Sequence, residues 1–263
     1  MVSDFFTRGW ARFGPDPQVR LWADVALRVG RAALRDPAFS HWHVCGGTWF
    51  VGLDALPNDA EGRVAGSGPL TGPAVDFIKD HLGGLPPLHR GQLSTVFPGY
   101  PRPREGEGEG AFRYRLRSDA AHLDGLKAAG PDRRRRIDEP HAFILGLPLS
   151  EAAPNAAPLV VWEGSHEILR AALSEALAPH DPADWPKVDV TEAYQAARKH
   201  IFETCPRVLL PARPGEAVLV HRLLLHGVAP WSEEGASAPD EGRMIAYFRP
   251  LMPGGLAEWL HAR

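Results

Sequence analysis

Apolar positions along this chain follow two periods. Within residues 17–34, Val19, Trp22, Val25, Ala26, Val29 and Ala33 recur near helical spacing, which predicts an amphipathic helix packed on the outside of a larger body. Further on, short runs take over at 43–51, 92–97, 112–116, 142–147, 158–162, 217–221 and 244–248, rich in β-branched and aromatic residues and separated by Gly/Pro turns. Such runs predict strands. Helical stretches interrupt them at 74–82 and, as a two-part insertion, at 167–177 and 191–202 on either side of Pro186. Ser165 precedes the insertion, placed to cap its first turn. Short strands at this spacing predict a mainly β fold with helical insertions, a double-stranded β-helix of the jelly-roll, cupin-like kind. No linker divides the 263 residues, so they read as one domain with an N-terminal helical region over about 1–40 and a helical insertion over about 167–202.

Composition narrows the function classes. Hydrophobic residues make up 44% and charged residues 23%, with a net charge of -3: a globular chain with no electrostatic reason to bind nucleic acid. No run approaches the roughly 20 apolar residues of a membrane span, and the first ten residues lack the apolar core of a signal peptide. A cytoplasmic location without membrane or nucleic-acid partners is the expectation. Cys45 and Cys205 are too few for a disulfide framework and read as buried free thiols.

The chemistry-bearing feature is the pair His122 and Asp124, followed about a hundred residues later by His226. A strand puts residues i and i+2 on one face, so imidazole and carboxylate can converge on one ion while a histidine arrives from a distant strand. Two histidines and one carboxylate are the facial set of non-haem Fe(II) oxygenases, holding three corners of an octahedron and leaving three open. His221 competes with His226 for the distal place, and the odd offset puts the two on opposite faces of a regular strand.

Downstream, Ala157-Pro158-Leu159-Val160-Val161-Trp162-Glu163-Gly164-Ser165-His166 resembles the Gly-x-Leu-x-x-x-Pro-Gly-Ser-His signature of phytanoyl-CoA dioxygenase-like enzymes. The run Gly215 to Gly227 is similar to that family's strand with the distal histidine, and Arg243-Met244-Ile245-Ala246-Tyr247-Phe248 to the strand whose leading arginine binds 2-oxoglutarate. The motifs stand in family order across residues 122–248. Glu163 replaces the usual proline, Val228 a frequent serine, and Arg243 lies 17 residues past His226, the extra length falling in the polar, turn-rich stretch 232–242.

The resemblance implies an Fe(II)- and 2-oxoglutarate-dependent dioxygenase that oxidises a small organic substrate with molecular oxygen, typically by hydroxylation, releasing succinate and CO2. His122, Asp124 and His226 would then be both metal ligands and catalytic centre, with Arg243 holding the distal carboxylate of 2-oxoglutarate. His226 is preferred over His221 because Gly227 follows it, as in the family. Alternation places Arg249 on the face of Arg243 as its nearest rival. Other readings stay open: a jelly-roll binding protein without working iron, or a cupin-type metalloenzyme that does not use 2-oxoglutarate. The run Arg133 to Arg136, flanked by acids, reads first as solvated surface. Substrate and oligomeric state are not legible.

Overall fold

The computed structural model describes residues 2–232 and 242–262. The chain begins with α1 (Val2–Arg8), β1 (Trp10–Phe13), α2 (Pro17–Arg35), β2 (His43–Val44), β3 (Trp49–Phe50), α3 (Pro73–His81), β4 (Gln92–Val96), α4 (Glu109–Arg117), β5 (Leu126–Ala129) and β6 (Arg134–Ile137). It continues through β7 (Phe143–Pro148), β8 (Leu159–Trp162), α5 (Ser165–Leu177), α6 (Thr191–Thr204), β9 (Arg207–Leu210), β10 (Ala217–His221), β11 (His226–Val228), β12 (Arg243–Phe248) and α7 (Gly255–His261).

Seven strands form one antiparallel sheet in the order β1-β10-β7-β12-β4-β3-β2, and three form a second in the order β11-β8-β9. An isolated bridge between His122 and His226 extends the smaller sheet by one segment. From β4 onward the chain alternates between the sheets: β4 in the large, residue 122 in the small, β7 in the large, β8 and β9 in the small, then β10, β11 and β12 by turns. That interleaving is the double-stranded β-helix, or jelly roll, that the strand spacing predicted.

Alternation along each strand sorts the side chains into layers. On the outer face of the large sheet, Leu145, Leu147, Leu219, Met244, Ala246 and Phe248 join one cluster with Trp22 and Ala26 of α2 and Ile78 of α3. Their neighbours Ile144, Val218 and Val220 turn inward and meet Leu159 and Val161 of the small sheet. Outside the small sheet, Val160 and Trp162 pack with Leu169, Leu173 and Ile201 of the helical insertion and Trp259 of α7. The start of α2 is secured by Asp16, whose carboxylate accepts from the backbone of Gln18 and Val19 ahead of Pro17, an arrangement worth about 1 kcal/mol.

Several expectations change. Residues 112–116 form α4, not a strand. Its aromatic rings hold cations and pack into no sheet: Phe112 lies 5.3 Å from the Arg115 guanidinium and Tyr114 5.3 Å from that of Arg198. The run 43–51 breaks into β2 and β3 around a turn in which Cys45, Gly46 and Gly47 all have positive φ. The N-terminal region is not purely helical, since β1 pairs with β10 and extends the large sheet. Ser165 does not cap α5; its hydroxyl accepts from the backbone of Leu225 at 2.9 Å and ties the helix to the segment before His226. Cys45 is buried and Cys205 half-buried, both as free thiols. Among the described residues no helix is long and apolar enough to cross a membrane. Most of the insertion at 232–242 lies outside the described residues.

Candidate metal centre

His122, Asp124 and His226 come together. One ligand atom from each lies within 4.8 Å of the others, with His122 Nε2 at 3.2 Å and His226 Nε2 at 3.8 Å from Asp124 Oδ1. Cis ligands bonded at about 2.1 Å stand about 3 Å apart, so small movements close the set around one ion. The route differs from a regular strand. His122 makes a single two-way backbone bridge to His226, at 2.8 and 3.1 Å, and Asp124 lies beyond it in the turn before Gly125.

Local contacts prepare both rings. His122 Nδ1 lies 3.0 Å from the carbonyl of Ala120 and His226 Nδ1 2.9 Å from that of Leu224. A carbonyl only accepts, so each Nδ1 is the donor there, and each Nε2 is the ring nitrogen turned toward Asp124 and available to a metal. Asp124 Oδ2 accepts from Arg249 Nη1 at 3.1 Å, which leaves Oδ1 to face the imidazoles. Burial works against the Asp124 charge, yet His122, His226 and Arg249 outweigh it and hold the carboxyl well below its ordinary pKa. Burial and then His122 push His226 down to about 4, so it is neutral and able to ligate near neutral pH. A carboxylate oxygen and two imidazole Nε2 atoms, each oriented from behind, fit a divalent ion of the iron class.

The segment leading into His122 is pinned. Asp119 and Ala120 both have positive φ, a conformation that persists only where surroundings enforce it. Arg207 grips the Asp119 carboxylate with two bonds, at 2.6 and 3.0 Å, and the Asp119 carbonyl accepts from Val228 of β11. Gly227 sits against that carbonyl so closely that an added Cβ would overlap it. Gly227→Ala should therefore force β11 away from the His122 segment and weaken Fe(II) binding about 10-fold or more, read by metal titration of the folded variant; unchanged affinity would show that the bridge does not set the ligand geometry.

A cavity of about 530 Å³ opens over the three groups, walled by Ile144, Leu159 and Val220 from the barrel interior and by Tyr114 and Arg198 from the added helices. Arg243 does not line it. It is buried at the start of β12, bonded to Tyr247, which does reach the cavity. Burial lowers the pKa of this guanidinium, its Nε has no hydrogen-bond partner, and among the described residues no carboxylate pairs with it. Arg249, its rival on the same face, is the arginine that contacts the centre, and sequence alone offered no sign that it would bind Asp124.

His221 lies apart. The chain leaves β10 after His221, turns, and enters the other sheet at His226, so the two histidines are separated by a change of sheet and not by the faces of one strand. His221 stacks 4.8 Å from His166, and both are almost fully buried. Burial lowers both pKa values, and Arg222 adds to the effect at His221. With folded-state values below the unfolded value of about 6.5, the unfolded chain binds more protons in acid; the stability from this pair is complete above about pH 6.5 and is lost as the pH falls. The melting temperature should drop between pH 7 and pH 5, with a shallower slope in the His166→Gln/His221→Gln variant.

No family model matches the chain, and no curated protein sequence matches it. Among solved structures it is similar to AviO1 from Streptomyces viridochromogenes Tue57, at 15% identity and a TM-score of 0.43 over 97% of this chain and 95% of that one. It is also similar to the non-haem α-ketoglutarate-dependent carbocyclase SnoK from nogalamycin biosynthesis, at 12% identity and a TM-score of 0.46 over 98% and 87%. EctD from S. alaskensis with bound Fe shows 14% identity and a TM-score of 0.46 over 94% and 74%. Likeness at this level carries neither ligands nor chemistry to this chain.

Proposed function

We propose that the protein is an Fe(II)- and 2-oxoglutarate-dependent oxygenase that oxidises a small organic substrate, of the broad kind to which phytanoyl-CoA dioxygenase-like enzymes belong. The observation that carries this reading is the convergence of His122, Asp124 and His226 beside a cavity of substrate size, with both imidazoles turned to leave Nε2 free. A ferrous ion held there by His122, Asp124 and His226 would supply, with 2-oxoglutarate and oxygen, the oxidising power, the cosubstrate leaving as succinate and CO2.

The chain supplies position and charge. The carbonyls of Ala120 and Leu224 fix the imidazole planes, and Arg249 occupies the second oxygen of Asp124. Arg243 stands behind the cavity wall, bonded to Tyr247 with an unused Nε; a distal carboxylate of 2-oxoglutarate that displaced Tyr247 would meet it and relieve the cost of burying an unpaired charge. Ile144, Leu159 and Val220 supply an apolar patch on the barrel side of an otherwise charged cavity wall, and that patch limits water beside the centre.

The test is anaerobic reconstitution with Fe(II), followed by oxygen, 2-oxoglutarate and a metabolite panel, with succinate as the readout. Succinate release that requires added iron and is stimulated by one member of the panel is expected. Tight iron binding with no binding of 2-oxoglutarate would leave the cupin-type enzyme as the better reading, and failure to bind iron would leave the binding protein.

A further inference from the structure

The cavity wall carries more positive than negative groups, and the cations differ in how they are satisfied. Arg115 is neutralised by Glu107, Lys127 by Asp138 and Glu139, and Arg249 by Asp124. Arg198 of α6 and Arg135 of β6 line the same cavity, yet among the described residues neither pairs with a carboxylate. Aromatic faces hold them instead. The Arg198 guanidinium lies 5.3 Å from the ring of Tyr114 and 5.1 Å from that of Phe202, and that of Arg135 lies 5.2 Å from Tyr194. Stacking of this kind fixes a cation without using its hydrogen bonds.

Their anchoring points frame the metal ligands. Arg198 Nη2 donates to the carbonyl of Ala121, next to His122, at 2.8 Å, and Arg135 Nη1 to the carbonyl of Leu126, two residues past Asp124, at 3.3 Å. Each guanidinium has five N–H donors, of which the carbonyls of Ala121 and Leu126 take one apiece; Arg198 Nε is buried without a partner. The flanking Arg134 turns outward to Asp189 and Glu192. One member of the arginine run therefore faces the cavity while its neighbour serves the surface.

We infer that Arg198 and Arg135 form an anion clamp, and that the primary substrate carries a carboxylate or phosphate group which the clamp holds while the oxidisable carbon lies over the centre formed by His122, Asp124 and His226. This rests on the oxygenase reading for the fate of the substrate, but the clamp itself requires no metal. Both arginines are specificity-determining residues: they select the charge and set the reach of the substrate.

The test uses the full-length protein and three probes of one chain length: octanoate, octyl phosphate and octanamide. Titration calorimetry on metal-free protein should show either anion binding at least about 10-fold more tightly than the amide, the scale of a charge-assisted contact, and the stronger of the two identifies the natural anion as carboxylate or phosphate. Arg198→Gln and Arg135→Gln should each remove most of that preference, whereas the exposed Arg136→Gln should retain it. If Arg198→Gln does not fold, Arg135→Gln and Arg198→Lys decide. Equal binding of octanamide, no binding of any probe at millimolar concentration, or an unchanged preference in the variants would overturn the clamp. So would loss of 2-oxoglutarate binding by the manganese-loaded variants with probe binding intact, because the pair would then serve the cosubstrate. Failure to bind iron or to release succinate would defeat the oxygenase reading while leaving the calorimetric result in place.

Discussion

Asp124→Ala should abolish stable iron binding, and His221→Ala should not. Asp124 provides the anionic oxygen of the set and meets both His122 and His226 through Oδ1. Replacing groups that merely orient a metal ligand costs about 10- to 100-fold in affinity, and loss of the ligand itself should exceed that range. Two effects add. The metal loses its charge-balancing donor, and Arg249 loses its partner, which leaves a cation facing the ion. Arg249→Ala should fall in between, binding iron about 10- to 100-fold more weakly because Asp124 survives but its second oxygen is free to rotate. Anaerobic Fe(II) titration with metal analysis of the four proteins checks the order. Equal iron content in wild type and the Asp124 variant would refute the assignment, and loss of iron in His221→Ala alone would move the distal ligand to the other sheet.

Arg243→Ala should weaken 2-oxoglutarate binding by about 1.5 to 3 kcal/mol, the scale of a hydrogen bond to a charged group, and leave iron in place. The prediction turns on burial: the Arg243 guanidinium has no carboxylate partner among the described residues and keeps an unsatisfied Nε, whereas Arg249 is already committed to Asp124. Lysine at 243 should restore only part of the affinity, since an ammonium lacks the planar fork that meets a carboxylate with two parallel bonds. Titration of 2-oxoglutarate into the manganese-loaded variants separates the two arginines. A loss confined to Arg249→Ala, with iron retained, would mean that the cosubstrate lies at the opposite end of β12.

The sequence signals differed in strength for physical reasons. The strands at β4, β7, β8, β10 and β12 and the helices α2, α3, α5 and α6 were legible because each has a long apolar repeat facing one layer of the core. Residues 112–116 misled because the period-2 aromatic pattern that marks a strand also arises where Phe112 and Tyr114 hold guanidinium groups. Ser165 carried a capping signal but spends its hydroxyl on Leu225, a residue 60 positions away. The convergence of His122, Asp124 and His226, our candidate metal set, was anticipated by the His-x-Asp spacing and the motif around His226, although the expected local geometry, two residues on one regular strand, is replaced by a bridge and a turn.

By itself the sequence determined the two periodicities, and through them which residues turn inward, the alternation of strands that closes into a jelly roll, and the types of donor able to bind a metal. Tertiary structure alone decided which partners the arginines meet. Arg249 on Asp124, Arg198 on the carbonyl of Ala121 and Arg135 on that of Leu126 join residues 125, 77 and 9 positions apart. Apolar burial leaves a periodic trace in the chain because it depends on the face a residue occupies, whereas a hydrogen bond to a charged side chain depends on the meeting of two particular groups, and that is set only when strands pair and the sheets and added helices pack.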